Sequence, residues 1–210
     1  ILEDEMIDID NISKSYSDER GFHKIILKDI SLKISDANTA IIAPEGSGKT
    51  TLLKIIAGIE LPESGLVKNT NDSKIAFIPQ EPSSFPWLNV IDNIKYFNKS
   101  IAKDELENLI SLVGLNGYEK HFPHENSFGF RFRISMARAL AVKPAILVLD
   151  NPFSKMDGRT KEECYEVVKQ LTDKNVVIVL ATTSISEALI LTNNILLLKK
   201  NPAEVVNSYN

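Results

Sequence analysis

The chain has 210 residues, of which 43% are hydrophobic and 25% charged, and its formal net charge is -4. This balance predicts a soluble globular protein and excludes a low-complexity disordered chain, because apolar residues are many and the net charge is small. A mildly acidic chain is also a poor candidate for stand-alone nucleic-acid binding, which ordinarily needs a basic face, so no nucleic-acid partner is expected.

Three further classes are excluded by local features. The longest apolar runs, such as Val176–Ala181 and Ile146–Leu149, are far shorter than the ~20 residues that a membrane-spanning helix needs. The single cysteine, Cys164, excludes an internal disulfide and a metal site built from cysteines. The first residues, Ile1–Glu5, contain neither a basic segment nor a long apolar one, so no secretion signal is expected.

Hydrophobic periodicity predicts strands that alternate with helices. The N-terminal part, Met6–Ile34, is typical of antiparallel strands around the charged turn Ser17–Lys24. The pattern then predicts, in chain order, the strand Thr39–Ala43, the helix Lys49–Ala57, the strands Ile75–Pro79 and Ile146–Asp150, the helix Thr160–Leu171, and the strands Val176–Ala181 and Ile195–Leu198. This alternation indicates an α/β fold with a mostly parallel sheet.

Two segments depart from that rhythm. Residues 81–138 contain a Pro-rich turn and then helical patterns, which predicts a helical subdomain inserted into the α/β core. Its predicted helices are Val90–Phe97, Asp104–Val113 and Ile134–Leu140. The C-terminal segment, Asn201–Asn210, is polar and is expected to be loosely held.

A glycine-rich segment between the first buried strand and its helix carries the strongest signal. The run Ala43-Pro44-Glu45-Gly46-Ser47-Gly48-Lys49-Thr50 follows the phosphate-loop pattern G-x-x-x-x-G-K-S/T, with Ala43 in place of the first glycine. Glycines let successive backbone N–H groups face an anion at a helix N-terminus. Lys49 is predicted to reach the β- and γ-phosphates and the Thr50 hydroxyl to ligate Mg²⁺. The alternative is a glycine-rich turn with an exposed lysine.

The strand Ile146–Asp150 supplies the second half of such a site. Its apolar residues end in an acid at the carboxyl end of a buried strand, where ligands bind in open α/β sheets. Asp150 is predicted to hold Mg²⁺ directly or through water. Alone, this pattern is weak evidence for a nucleotide-binding site, but together with a phosphate loop it is strong evidence.

The order of these motifs resembles the ATP-binding subunits of ABC transporters over nearly the whole chain. The resemblance implies a single nucleotide-binding domain over residues 1–210, with a P-loop NTPase core, an N-terminal antiparallel β part and a helical subdomain at about 81–138. It implies that Tyr16 stacks on adenine, that Gln80 senses Mg²⁺ and water, and that Ser154–Asp157 touches a partner subunit. The alternatives are ordinary packing for Tyr16 and a helix N-terminal turn for Asp157.

The residues implied for binding and catalysis follow from those matches. The nucleotide-binding set is Tyr16, Glu45, Gly46, Ser47, Gly48, Lys49, Thr50, Thr51, Ser127 and Gly129. The metal-binding set is Thr50, Gln80 and Asp150, and the catalytic set is Lys49, Gln80, Asp150, Asn151 and Thr183.

The segment Gln80–Leu88 is most similar to the nitrate, sulfonate and taurine importers of the family, in which it leans on the membrane subunit. The alternative is a Pro-rich loop whose Trp87 packs on its own subdomain.

The departures from the family fall on catalysis. Asn151 stands where the family has the glutamate that polarises the attacking water, and Thr183 stands where it has a histidine that contacts the γ-phosphate. A carboxamide holds a water but cannot take its proton. In place of the signature L-S-G-G-Q, residues 126–130 read Asn-Ser-Phe-Gly-Phe, so Phe128 replaces a glycine. The alternative for Asn151 and Thr183 is neutral drift.

A basic stretch follows this altered signature. Its arginines, Arg131, Arg133 and Arg138, are interpreted either as a solvated basic face or as binding residues.

The resemblance therefore implies a subunit that binds ATP and Mg²⁺, pairs with a second ATP-binding subunit as a homo- or heterodimer, and docks on a membrane permease. It would lie at the cytoplasmic face of the membrane, in a complex that also includes a solute-binding protein, and hydrolyse ATP slowly. One alternative is a non-hydrolysing, ATP-sensing regulatory subunit. Another, an unrelated phosphate-loop enzyme, would make the Gln80, signature and dimer-loop matches coincidental.

Overall fold

Two sheets and the helices packed on them make up the part of the chain that the computed structural model describes, residues 6–19, 21–70, 72–123 and 128–209. Its elements are, in chain order, β1 (Ile7–Ser17), β2 (His23–Ile34), β3 (Thr39–Ile42), α1 (Lys49–Ile56), β4 (Ser64–Asn69), β5 (Ile75–Ile78), α2 (Val90–Lys95), α3 (Lys103–Leu112), α4 (Phe128–Leu140), β6 (Ile146–Asp150), α5 (Gly158–Thr172), β7 (Val177–Thr182), α6 (Ile185–Leu191), β8 (Asn194–Leu198) and β9 (Val205–Tyr209).

The larger sheet is mostly parallel. Its strand order is β5-β6-β7-β3-β8-β9, and only β9 runs antiparallel to its neighbour among these pairs. Every residue of β6 and β7 is buried, which explains their continuous apolar runs, since helices or a second sheet cover both faces. The predicted α/β fold class is confirmed.

The smaller sheet is antiparallel, in the order β2-β1-β4. Alternate side chains of β1, such as Ile7 and Ile9, are buried against the core. The antiparallel strands predicted within Met6–Ile34 are therefore confirmed, with the connection between Ser17 and His23.

The larger sheet divides the apolar core into two clusters. In β6, Leu147 and Leu149 face the cluster that contains the buried side chains of α2 to α5. Ile146 and Val148 face the cluster formed with α1 and the antiparallel sheet. Successive side chains of a strand point to opposite faces, so one short strand joins both halves of the core.

Helix α4 begins at Phe128, well before the predicted start at Ile134. The extension is stabilised by packing that the local pattern does not reveal. Phe132 is buried against Phe153, with ring centroids 5.8 Å apart, and Gly129 lies so close to Thr160 of α5 that a Cβ there would overlap the threonine methyl group.

The expectation that Asn201–Asn210 is loosely held is wrong for residues 201–209. Strand β9 pairs antiparallel with β8, and Ala203 is fully buried against β2. The Ala203 N–H donates to the Ile26 carbonyl at 2.8 Å. Backbone pairing along an edge strand does not depend on apolar side chains, so polar composition did not reveal it. Asn210 lies outside the described residues.

Within the described ranges, no helix combines the length and apolar character needed to cross a bilayer.

The aromatic stack in the core gives a stability test. Phe153 is fully buried between Phe132 and Tyr165, whose ring centroid lies 4.8 Å away. Phe153→Ala leaves a cavity and is expected to lower the free energy of unfolding by about 3–5 kcal/mol. Urea denaturation measures this change. Phe22→Ala, at a 71% exposed phenylalanine, is the control and should change it by less than about 0.5 kcal/mol. Equal losses in both variants would contradict this packing.

Candidate functional site

The glycine-rich loop joins the end of β3 to the start of α1. Gly46 and Gly48 have left-handed backbones, with φ 68° and 98°, and Gly48 occupies the N-cap of α1. A Cβ at Gly48 would lie 2.7 Å from the Ile26 Cγ2, so this position needs glycine for both space and conformation. Because glycine has no capping side chain, the first amides of α1 remain available to an anion.

Lys49 lies folded against its own loop. Its Nζ donates to the carbonyl oxygens of Ala43 at 2.7 Å and Pro44 at 2.8 Å. Burial lowers the pKa of Lys49, and the charges of Asp150 and Glu45 oppose that shift. An ammonium group has three donors, so one N–H of Lys49 remains for an anion in the cavity.

Thr50 and Asp150 place two oxygen atoms side by side. The Thr50 hydroxyl donates to Asp150 Oδ2 at 2.7 Å, across the gap between α1 and β6. Burial raises the pKa of Asp150, although the bond from Thr50 and the charge of Lys49 lower it. A hydroxyl and a carboxylate suit a hard cation such as Mg²⁺. The described residues hold no cluster of three or more His, Cys, Asp or Glu, so such an ion would need further oxygen ligands from a bound phosphate or water.

These groups share one cavity of about 440 Å³. It is lined by Tyr16, Ile26, Glu45, Gly46, Gly48, Lys49, Thr50, Thr51, Gln80, Asp150 and Asn151. Ser47 belongs to the loop but does not line the cavity, and its buried Oγ has no hydrogen-bond partner among the described residues. Thr183 and Gly129 do not line the cavity, and Ser127 lies outside the described residues. Sequence reasoning missed Ile26, whose contact with Gly48 depends on tertiary packing.

Tyr16 is positioned by a residue that no motif marked. Its hydroxyl donates to Glu60 Oε1 at 2.5 Å, and Lys14 Nζ lies 3.3 Å from the same oxygen. Burial raises the pKa of Tyr16, and the Glu60 carboxylate adds to this effect. The side chain stays 42% exposed at the cavity, where a ring fixed by its hydroxyl can present a face to a planar group.

The two altered catalytic positions follow neighbouring strands. Asn151 is buried directly after β6, with φ 44°, and its N–H donates to the Ala181 carbonyl of β7 at 2.8 Å. Thr183 is exposed directly after β7. The adjacent Thr182 is fully buried, and its hydroxyl donates to Glu187 at 2.5 Å. Asn151 lines the cavity, whereas Thr183 does not.

Phe128 begins α4 beside charged groups. Its ring centroid lies 5.9 Å from Lys155 Nζ and 5.8 Å from the guanidinium of Arg131. Lys155 also forms an ion pair with Glu81, and its contact with the Phe128 ring places Phe128 next to the segment 154–157 of its own chain. Asp157 accepts a hydrogen bond from the Thr160 N–H at 3.0 Å, as the N-cap of α5.

Two arginines of α4 are held inside the chain. Arg133 donates to the Val113 carbonyl and to Glu163, both at 2.7 Å. Arg138 is buried, donates to the Ser83 carbonyl at 2.6 Å and lies 4.5 Å from the Phe85 ring centroid. For these two residues the interpretation as a solvated basic face is wrong.

Several known proteins are similar to this chain in sequence and in fold. The family described as ABC transporter matches residues 27–154. The sulfate/thiosulfate import ATP-binding protein of Gloeobacter violaceus is 35% identical over 95% of this chain, which spans 62% of that relative's length. The aliphatic sulfonates import ATP-binding protein of Bacillus thuringiensis is 33% identical, with 95% of this chain and 83% of the relative covered. The taurine import ATP-binding protein of Yersinia pestis is 33% identical, with 93% of this chain and 82% of the relative covered.

Solved structures agree with these relatives. A dimeric bacterial ABC transporter cassette superposes with a TM-score of 0.86 at 26% identity, over 98% of both chains. The dimeric post-hydrolysis state of that cassette, bound to ADP and phosphate, gives 0.85 at 25% identity over 98% of both chains. The match over more than half of the sequence, together with this fold and its phosphate loop, establishes that the chain belongs to the ABC transporter family.

Proposed function

We propose that this chain is the ATP-binding subunit of an ABC importer and that it binds Mg-ATP in the cavity around Lys49. The observation that carries the proposal is the meeting of the phosphate loop with the Thr50–Asp150 pair in one cavity. The similarity to ATP-binding proteins of sulfate, sulfonate and taurine import supports the importer assignment.

The residues present fit both groups. A triphosphate would accept hydrogen bonds from the backbone N–H groups of the loop and of the first turn of α1, and from Lys49. Mg²⁺ would take Thr50 and Asp150 as ligands, with Gln80 nearby in the cavity wall. When bound, the ion neutralises phosphate charge and fixes its orientation. Tyr16 would stack on the adenine.

We expect this chain to bind ATP but to hydrolyse it slowly, because Asn151, Thr183 and Phe128, which differ from the family, are not part of the phosphate loop. Asn151 can orient a water molecule through its carboxamide but cannot accept the proton. Thr183 has no charged form and a shorter reach than histidine. Phe128 places a ring at the start of α4, where the family has a glycine. ATP would therefore close a dimer with slow turnover.

Dimer geometry decides where these defects act. The similar solved cassettes are dimeric. The family resemblance implies that each ATP lies between one chain's phosphate loop and the other chain's signature. In a homodimer both sites would combine Asn151 and Thr183 with Phe128. With an intact partner each site would be defective in one half, and the partner's site would be faster because its water-activating groups are present.

The exposed aromatic residues between β5 and α3 support docking on a permease. Trp87 is 69% exposed, and its ring packs against that of Phe85, with 5.4 Å between ring centroids and 31° between the ring planes. Tyr96 and Phe97 are also exposed, with centroids 4.9 Å apart. An adjacent cavity of about 470 Å³ lies between β5 and α4. A permease bound here would hold the subunit at the cytoplasmic face of the membrane, in a complex completed by a solute-binding protein.

The second candidate is a regulatory subunit in which ATP closes the dimer with no turnover. The absence of a carboxylate at Asn151 favours it. Nucleotide affinity and phosphate release, measured on the same purified chain with Mg-ATP, distinguish the two functions: slow release supports the transporter subunit, and none supports the regulator.

Lys49→Ala tests nucleotide binding. It removes a cation expected at the β- and γ-phosphates, so ATP affinity should fall about tenfold to a hundredfold. Isothermal titration calorimetry measures the loss of ATP affinity. Lys169→Ala, on α5 and paired with Glu166, is the control and should bind ATP normally. Unchanged affinity in Lys49→Ala would refute the phosphate-loop assignment.

Asn151→Glu tests the catalytic defect. A general base contributes about 10²–10⁴-fold, so phosphate release should rise, although only partly in a homodimer because Thr183 and Phe128 persist. Adding Thr183→His and Phe128→Gly should raise it further and more than additively. Asn151→Gln keeps a carboxamide and is the matched control, with no expected gain. A normal family rate in the unmodified chain, or no change in Asn151→Glu, would contradict the account.

Trp87→Ala tests the docking surface. The variant should fold and bind ATP, because its side chain is exposed away from the phosphate loop, but it should assemble poorly with its permease. Co-purification from membranes measures assembly, and Phe22→Ala, at another exposed aromatic residue, serves as control. Loss of folding would instead assign Trp87 to packing within its own subdomain.

A further inference from the structure

The turn between β8 and β9 is fixed beside the phosphate loop. The Ala203 N–H donates to the Ile26 carbonyl at 2.8 Å, and the Lys28 N–H donates to the Ala203 carbonyl at 3.0 Å. Ile26 also lines the nucleotide cavity, and its side chain is the nearest neighbour of a Cβ built on Gly48. The turn and the loop are therefore anchored to the same stretch of β2.

This anchoring directs one lysine at the tip of the loop. A Cβ built on Gly46 would lie 3.6 Å from Lys200 Nζ and 3.8 Å from its Cε, so the ammonium is in van der Waals range of the loop. Lys200 is exposed and forms no ion pair with any described residue. Its neighbour Lys199, by contrast, is paired with Glu204 at 2.7 Å. An unpaired ammonium beside an anion-binding loop has a charge available for the ligand.

The other charged groups of the loop leave a need for a second cation near the phosphates. The loop carries a carboxylate at Glu45, on the cavity wall, which would repel a bound phosphate. Lys49 lies on the inner side of the loop, bonded to the carbonyls of Ala43 and Pro44. Burial lowers the pKa of Lys49, and the charge of Lys200 contributes in the same direction.

We infer that Lys200 is a second phosphate-binding cation of this site: its ammonium lies beside Gly46, next to the residues that line the cavity, and would turn toward the β- and γ-phosphates of bound ATP and offset the repulsion by Glu45. The inference rests on the proposed ATP binding and adds a residue outside the phosphate-loop motif. A flexible lysine acts as a mobile point charge, so it adapts to a phosphate without a fixed bidentate geometry. ATP carries more negative charge than ADP, so Lys200 should favour ATP.

Calorimetry with three variants tests this inference. Lys200→Gln removes the charge, Lys200→Arg keeps it, and Lys199→Gln makes the same change in net charge one residue away. Titration with Mg-ATP, Mg-ADP and inorganic tripolyphosphate at low and high salt separates phosphate contacts from adenine contacts. For a partly exposed charged contact we expect Lys200→Gln to weaken ATP and tripolyphosphate binding about threefold to tenfold, and ADP binding less.

The other expected results complete the test. The salt dependence of ATP affinity should be smaller in Lys200→Gln, because one fewer charged contact is screened. Lys200→Arg and Lys199→Gln should bind like the unmodified chain. Unchanged affinity and salt dependence in Lys200→Gln, or an equal loss in Lys199→Gln, would overturn the inference. If Lys49→Ala still weakens binding in that case, the proposed ATP binding stands and only the role of Lys200 fails. If the unmodified chain binds neither ATP nor tripolyphosphate, both fail.

Discussion

The parallel pairing of β3, β7 and β6 is the constraint on which the site depends. β7 lies between the other two strands, and all three end at the same edge of the sheet. That edge therefore receives the phosphate loop after β3, Asp150 at the end of β6 and Thr183 after β7. The Thr50–Asp150 hydrogen bond at 2.7 Å then joins α1 to β6. The buried apolar faces of β6 and β7 hold this alignment, so the site is only as rigid as the core beneath it.

Much of this arrangement could be predicted because local sequence determines it. The phosphate loop needs glycine at 46 and 48 and lies between a strand and a helix. The four residues that precede Asp150 in β6 are all apolar and buried. Contacts between distant segments were not predictable. Glu60 lies 44 residues from the Tyr16 it holds, and β9 is formed by backbone pairing that its polar side chains conceal.

Contacts between distant segments also explain the other features that the sequence did not predict. The early start of α4 depends on Gly129 fitting against Thr160 of another helix. Arg138 looks like a surface charge in sequence, yet the Pro-rich segment folds over it and supplies the Ser83 carbonyl. Lys200 approaches the phosphate loop only because its turn pairs with β2. Each depends on tertiary contacts, which override local composition.

The phosphate loop matches the family pattern from Gly46 to Thr50, whereas Asn151 and Thr183 differ from it at the positions implied for catalysis, so we expect this chain to bind ATP and to hydrolyse it slowly. Quenching single-turnover reactions of the purified chain, with bound ATP and released phosphate counted in the same samples, tests this expectation most directly. The account predicts saturable binding of ATP that remains largely unhydrolysed over times in which an intact family member completes turnover. Rapid and complete release of phosphate, or failure to bind ATP at saturating concentration, would contradict it.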